Sequence, residues 1–327
     1  MGKHVRHRAG LWLGLLTILV CVFALYKGPS NAGELVVDSG QLRSHLQTLS
    51  AERYSNVALA RTRTYLTEQL QAYGYKTVSQ VFGSGDSAGT NLSVLRPGTQ
   101  TPGQKILVGA HYDSVAGSPG ADDNISAVAT ALEIARIFAS YPTDKTLQIV
   151  FFDQEEFQPE GAGLLGSNAF VNEPTNLDGL EGAVILEMLG YACYEAGCQT
   201  YPSGLDPQNL PTVGDFIGVI GDTDHPDLLA TFVTDEESAP TAQASNFKAV
   251  TLPVPIGVLP FMPDLFRSDH VPFWLRGIGA VMVSDTANFR NPNYHRDSDT
   301  VDSLDMDFLE QTAQYLVSRV TSLLGDG

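Results

Sequence analysis

Histidines and carboxylates recur in this sequence directly after short apolar runs. His111, Tyr112, Asp113 and Ser114 follow the run 106–110, and Asp122, Asp123 and Asn124 come shortly after. Asp153, Gln154, Glu155 and Glu156 follow the run 147–152. Glu187 lies near the end of the run 183–188, and Asp285 follows 280–284, with Tyr294, His295, Arg296 and Asp297 a few residues on. In open α/β sheets ligands bind beyond the carboxyl ends of the strands, so strands in these positions would deliver acids and imidazoles to one edge. Six or more carboxylates gathered there repel one another and call for a cation. Histidine and carboxylate donors without thiolates suit zinc or a similar divalent ion. Two such ions about 3.5–4 Å apart, sharing one carboxylate and one water, are an arrangement for hydrolysing amides or esters. A further acid beside them takes the water's proton.

Singly, these residues mean less. A lone histidine after a strand is usually a surface or capping residue, and Asp122-Asp123 alone reads as a helix N-cap. Glu155-Glu156 alone reads as a solvated pair, Asp113 could bond a turn, and Tyr294 could simply stack in a loop. Glu187 stands apart because it ends an apolar strand, where water is scarce. The weight lies in their order and context together.

The elements that would position them alternate along the chain. Apolar residues at helical spacing predict helices over 39–49, 57–73, 126–139 and 306–324. Strands are expected at 77–82, 91–95, 106–110, 147–152, 183–188 and 280–284. Short apolar strands separated by helices predict an α/β fold with a mixed, mainly parallel central sheet and helices on both faces. The stretch 193–263 is rich in Pro, Gly and Asp and holds one expected helix, 227–234. It reads as an excursion near the site, partly lid-like. No linker divides the rest, so one domain is expected from about 34 to 327.

Residues 1–33 differ. Lys3, Arg6 and Arg8 precede an apolar run from Leu11 to Tyr26. As a helix this run is roughly 24 Å long, short of the ~30 Å hydrocarbon core. It reads as a signal peptide or an N-terminal membrane anchor, with the remainder exported: periplasmic, extracellular or anchored facing outward. The chain carries 19 Lys and Arg against 37 Asp and Glu, a formal charge of −18, which argues against nucleic-acid binding. Its three cysteines are too few for a disulfide scaffold, but Cys193 and Cys198 in an exported protein are expected to close a short loop after Glu187.

From about Lys105 to Thr300 the motifs resemble those of the co-catalytic zinc aminopeptidases, whose superfamily also contains glutamate carboxypeptidases and glutaminyl cyclases. The resemblance implies the three-layer fold of that family and two zinc ions per chain. It assigns His111 as a ligand oriented by Asp113, in a His-x-Asp pattern. Asp123 becomes the bridging carboxylate, since Asp123-Asn124-Ile125-Ser126-Ala127 matches the family's Asp-x-x-Ser-Gly/Ala context and Asp122 does not. Glu155 becomes the general base and Glu156 a ligand. Glu187 stands where the family usually has Asp, one methylene longer. His295 is the last ligand, and Tyr294 before it is placed to stabilise an oxyanion, as in some relatives. Ser268-Asp269-His270 also matches a family segment, with Asp269 as a supporting residue and His270 outside the ligand set.

The resemblance implies a zinc-dependent exopeptidase acting on peptides, an aminopeptidase foremost. A glutaminyl cyclase-like acyltransferase is one alternative, because 151–156 and Asp269-His270-x-Pro272-Phe273 resemble those enzymes, which commonly use one zinc and would leave His111 a spectator. A catalytically silent binding domain on the same fold is another. Membrane contact is expected only through an uncleaved N-terminal segment, and oligomeric state is not legible. Arg267 could bind a substrate carboxylate, with pairing to a surface acid preferred. His45 and His225 are expected at the surface. Asn91-Leu92-Ser93 and Asn124-Ile125-Ser126 match the glycosylation sequon, the second by coincidence.

Overall fold

Short apolar runs form the middle of the protein in its computed structural model, which describes Gly2 and residues 35–156, 163–233 and 247–325. The segment 1–33, read above as signal or anchor, otherwise lies outside the described residues. Among the described residues, no helix is long and apolar enough to cross a membrane. In chain order the elements begin with α1 (Ser39–Leu49), α2 (Asn56–Ala72), β1 (Val78–Phe82), β2 (Gly89–Arg96), β3 (Thr101–His111), α3 (Ala127–Phe138) and β4 (Lys145–Phe152). They continue with α4 (Leu165–Val171), α5 (Pro174–Leu177), β5 (Leu180–Glu187), β6 (Ile217–Asp222), α6 (Pro226–Ala230), β7 (Ala249–Val254), α7 (Val271–Trp274), β8 (Ala280–Ser284) and α8 (Met306–Leu324).

The strands make one sheet in the order β1-β2-β4-β3-β5-β8-β6-β7. The inner pairs β3–β4, β3–β5 and β5–β8 are parallel, as are β6–β7. The pairs β1–β2, β2–β4 and β6–β8 are antiparallel. The sheet is therefore mixed, with a parallel centre. Alternation along each inner strand splits its side chains between two cores. Ile106, Val108, Ile149, Val184 and Val281 face a layer built from α1, α2, α3 and α8. Leu107, Val150, Ile185 and Ala280 face α4, α7 and the segment around Leu265. Burial on both faces is why these strands read as continuous apolar runs.

Two features differ from the sequence reading. The stretch 193–263 contributes β6 and β7 to one side of the sheet, rather than serving only as an excursion. Its strands are short and broken by Gly218, Gly221 and Pro253, which hides the apolar alternation. Among the described residues, the helix expected over 227–234 is α6, Pro226–Ala230. His45 is not at the surface: it is 1% exposed, with Nδ1 2.7 Å from the Tyr65 hydroxyl. Polar partners inside the helical layer make that burial tolerable. The two sequons are closed as well, because Asn91 and Asn124 are both buried and hydrogen-bonded.

One buried cation ties the N-terminal helices to the sheet edge. Arg53, 1% exposed, sits between α1 and α2. It donates from Nε to Tyr112 O at 2.8 Å and from Nη2 to Gly120 O at 2.9 Å. Gly120 must be glycine: its φ is +58°, and a Cβ there would meet Asp123 O at 2.2 Å and Arg53 Nη2 at 2.5 Å. Replacing Arg53 by Ala strands several buried carbonyls. We expect a loss of about 2–4 kcal/mol in denaturant unfolding, with Arg53→Lys failing to restore it because a single ammonium cannot reproduce the planar fork.

Candidate metal centre

The site lies where β3, β4, β5 and β8 end. Just past three of these strands the backbone turns through left-handed conformations at non-glycine residues. Gln154 (φ +57°) follows β4, Met188 (φ +49°) follows β5, and Thr286 (φ +84°) and Ala287 (φ +50°) follow β8. His295 itself has φ +59°. Such conformations are costly and persist where surrounding structure imposes them, often at functional sites.

Two groups of donors result. His111 Nε2 lies 3.3 Å from Asp123 Oδ1 and 3.4 Å from Glu187 Oε1. His295 Nε2 lies 3.2 Å from Asp123 Oδ2 and 3.2 Å from Glu156 Oε2. Asp123 thus belongs to both groups and offers one oxygen to each. Ligands about 2.0–2.1 Å from a tetrahedral zinc stand about 3.3–3.4 Å from one another, so the donor spacing fits this ion. The five carboxylate and imidazole arms converge without a thiolate, again as zinc allows.

The supporting contacts explain why the arms hold these positions. Asp113 Oδ1 is 3.3 Å from His111 Nδ1, the face of the ring turned away from Asp123. The Asp113 carboxylate also accepts the backbone N–H groups of Glu155 and Glu156, at 3.1 and 3.2 Å. One side chain therefore orients the histidine and pins the Glu-Glu turn. Asp299 accepts from the backbone of Asp122 and Asp123, at 2.9 and 3.1 Å. Asn124 bridges to β5, donating to Leu186 O at 3.0 Å and accepting from Met188 N at 2.9 Å. Ser268 donates to Glu187 Oε2 at 2.6 Å and so fixes the longer arm that replaces the expected Asp.

The electrostatics show a surplus of negative charge. Burial pushes the Glu155 carboxyl well above its ordinary range; His111 opposes this, while Glu187, Glu156 and Asp269 add to it. Burial, then Asp123, pushes Glu156 up to about 7 despite His295. Asp269 is also raised to about 7, chiefly by burial. The histidines respond in the opposite sense. Burial would lower His295, but Asp123 and Glu156 outweigh it and hold the ring at about 10. Likewise Glu187, Glu155, Asp113 and Asp123 overcome burial and raise His111 well above its usual value. Asp123, flanked by both rings, is lowered in spite of its burial. Divalent cations would neutralise this cluster as protons otherwise must.

His111, Asp123, Glu156, Glu187 and His295 come together, and Glu155 lines the same cavity. Asp269 is fully buried beside the cluster. Tyr294 stacks on the His295 ring with centroids 3.7 Å apart. Cys193 and Cys198 are disulfide-bonded. Asp122 turns away, accepting from Gly190 N and Asn291 Nδ2. His270 packs on Trp274 with Nε2 3.1 Å from Leu265 O, outside both groups. Arg267 does pair with an acid, Asp264 at 3.1 Å, and also donates to the Tyr294 hydroxyl at 2.8 Å. The sequence reading missed Arg53 and the roles of Asn124 and Ser268. Ser268 and Asn124 each lay inside a matched segment, which was a signal; Arg53 had none. A cavity of about 420 Å³ opens beside the donors onto apolar side chains such as Leu205, Phe216, Leu252 and Met282.

The model of peptidase family M28 matches residues 91–217 and 218–320. The chain belongs to this family. The uncharacterized protein YfbL of Escherichia coli is 30% identical over 281 residues, 82% of this chain and 81% of YfbL. Aminopeptidase YwaD of Bacillus subtilis is 29% identical over 226 residues, 66% of this chain but 40% of YwaD, so the chain spans less than half of that relative. Two solved structures share the fold. BSAP, a zinc aminopeptidase from Bacillus subtilis, superposes with TM-score 0.64 at 15% identity, covering 90% of this chain and 97% of BSAP. Porphyromonas gingivalis glutaminyl cyclase superposes with TM-score 0.65 at 18% identity, covering 88% and 99%. Membership in M28 places the chain among the zinc metallopeptidases, a class of hydrolases.

Zinc binding should be visible without any assay of turnover. Adding zinc to metal-stripped protein should raise the melting temperature by several degrees, since binding at 100 times Kd contributes about 2.7 kcal/mol. Asp123→Ala, which removes a donor from both groups, should abolish the rise and leave metal analysis with less than one zinc per chain.

Proposed function

We propose that this chain is an exported aminopeptidase whose single domain, from about 34 to 327, releases N-terminal residues from peptides with two zinc ions. The observation that carries this reading is Asp123, which offers one oxygen to the group with His111 and Glu187 and the other to the group with Glu156 and His295, while Glu155 lines the same cavity. Zinc, when bound, would polarise the scissile carbonyl and make a water acidic near neutral pH. His111, Asp123 and Glu187 would hold one ion, and Asp123, Glu156 and His295 the other. Glu155 takes a proton from the hydrolytic water and passes it to the leaving amine. Glu155 is buried and lines the cavity together with Asp123, Glu156, Glu187 and His295, as that exchange requires.

Tyr294 has the role of donor to the tetrahedral oxyanion. Arg267 already donates into the phenol oxygen, which leaves the phenol's own proton free to point elsewhere. Asp113 keeps His111 oriented, and Asp269 adds to the field around Glu155. Export is supported by the basic and apolar N-terminal sequence and by the Cys193–Cys198 disulfide, a bond suited to oxidising compartments.

A cyclase reading draws support from the shared fold with glutaminyl cyclase and from the group Asp123, Glu156 and His295, which could serve one ion alone. Both donor groups are equally closely spaced, which favours two ions and hydrolysis. A panel of peptides with free and acetylated N-termini decides the matter. Release of a free amino acid only from unblocked peptides, at two zinc per chain, is the expected result. Ammonia release from N-terminal Gln at one zinc would replace it with the cyclase. Glu155→Gln should retain zinc while turnover falls at least ~100-fold; turnover near the wild-type rate would remove Glu155 from its role.

A further inference from the structure

The floor of the cavity is the open face of three strands. On β8, Met282 and Ser284 point to the side opposite Val281 and Val283, which are sealed in the helical core. On β6, Gly218 and Ile220 alternate in the same way with buried Ile217 and Val219. The strand register aligns these positions into two rows. Ser284 pairs with Gly218 and Gly218 with Val250; Met282 pairs with Ile220 and Ile220 with Leu252. All six line the cavity. Gly218, Ile220, Val250, Leu252 and Met282 are only half-buried, as an open floor requires. With neighbouring strands about 4.8 Å apart, the floor runs about 10 Å from β8 to β7. It begins at Ser284, the residue paired with Glu187 of the donor cluster.

Gly218 lies in the middle of the row nearer the donors. A Cβ built there meets only Ser284 O at 3.3 Å and Thr286 Cγ2 at 3.4 Å, both of residues that line the cavity. Its backbone has no positive φ, so no turn calls for glycine, and the one tight contact a Cβ would make is with the Ser284 carbonyl. Glycine inside a strand weakens it and often marks a place where a ligand approaches the backbone closely. The missing side chain leaves a flat peptide surface on which a planar ring can lie, with Phe266 and Leu265 on the cavity wall.

We infer that this floor is the pocket for the substrate's N-terminal side chain, that it selects aromatic residues, and that Gly218 is the residue that sets its depth. The inference rests on the aminopeptidase reading. The cavity lining is largely apolar, and the cation within it, Arg267, is engaged by Asp264 and Tyr294. Acidic side chains therefore gain little there, whereas an aromatic ring gains the burial of its whole face.

The test compares zinc-loaded wild type, Gly218→Ala and Gly218→Val on alanyl, leucyl, phenylalanyl and tryptophanyl amides of one chromogenic amine. Wild type should favour the phenylalanyl over the alanyl substrate at least ~100-fold in kcat/KM. That ratio should fall at least tenfold in Gly218→Val and by a smaller factor in Gly218→Ala. A wild-type enzyme that is indifferent to the side chain or turns over the leucyl amide better than the phenylalanyl one, or a folded Gly218→Val that keeps its aromatic preference, overturns the inference while leaving the peptidase reading intact. Melting shifts with 2-phenylethylamine against ethylamine read the pocket without turnover. If nothing is hydrolysed, stabilisation by 2-phenylethylamine in wild type but not in Gly218→Val upholds the pocket and sinks the peptidase; no such difference sinks the pocket as well.

Discussion

The structure is governed by the need to gather acids in a place where water is scarce. Asp113, Asp123, Glu155, Glu156, Glu187 and Asp269 converge on the ends of a buried parallel sheet, and most of them are almost fully enclosed. Two imidazoles and one buried guanidinium do not balance that charge. The carboxyls that can shed it by taking a proton are pushed up toward neutrality, and both histidines are pushed up to help. A protein selected only for stability would replace such a cluster with apolar side chains. The arrangement makes physical sense as a cradle for divalent cations, which is what the family supplies.

Around that cradle the scaffold works mainly through backbone. Asp299 caps the N–H groups of Asp122 and Asp123, Asp113 caps those of Glu155 and Glu156, and Asn124 stitches the Asp123 loop to the end of β5. Arg53 fastens the same loop from the opposite side. Each of these side chains fixes where a donor begins, so the donors' own rotamers are left to choose the last ångström. Such support is what distinguishes a preformed site from a cluster of acids. Glu187 illustrates the point. Its extra methylene could have loosened the site, yet Ser268 catches the second oxygen and leaves the first facing His111.

The donor edge and the apolar cavity share the same sheet but use different parts of it. The parallel centre supplies donors at its strand ends. The strands beyond β8 supply a floor, because β6 runs antiparallel to β8 and carries the sheet out past the donor cluster. The stretch between Cys193 and Pro263 thus supplies much of the cavity lining beside the donors, and its disulfide closes the loop that leaves β5.

The sequence by itself determined the sheet's buried strands and the donors at their ends. Runs such as 147–152 and 183–188 are apolar throughout because both faces are covered, and the acids that end them are conspicuous against that background. The preference for Asp123 over Asp122 came from the resemblance to the zinc aminopeptidases, through the residues that follow. The sequence could not determine β6 and β7, where half of each strand faces a cavity and glycine or proline interrupts the alternation. Nor could it find Arg53, His45 or Asn124 in their working positions, because a buried polar residue is defined by partners far away in the chain: Arg53 meets Gly120, and Asn124 meets Leu186. Local pattern records which face of an element is dry. Only the folded chain decides which polar groups meet inside it, since that depends on contacts between residues that sequence spacing does not relate.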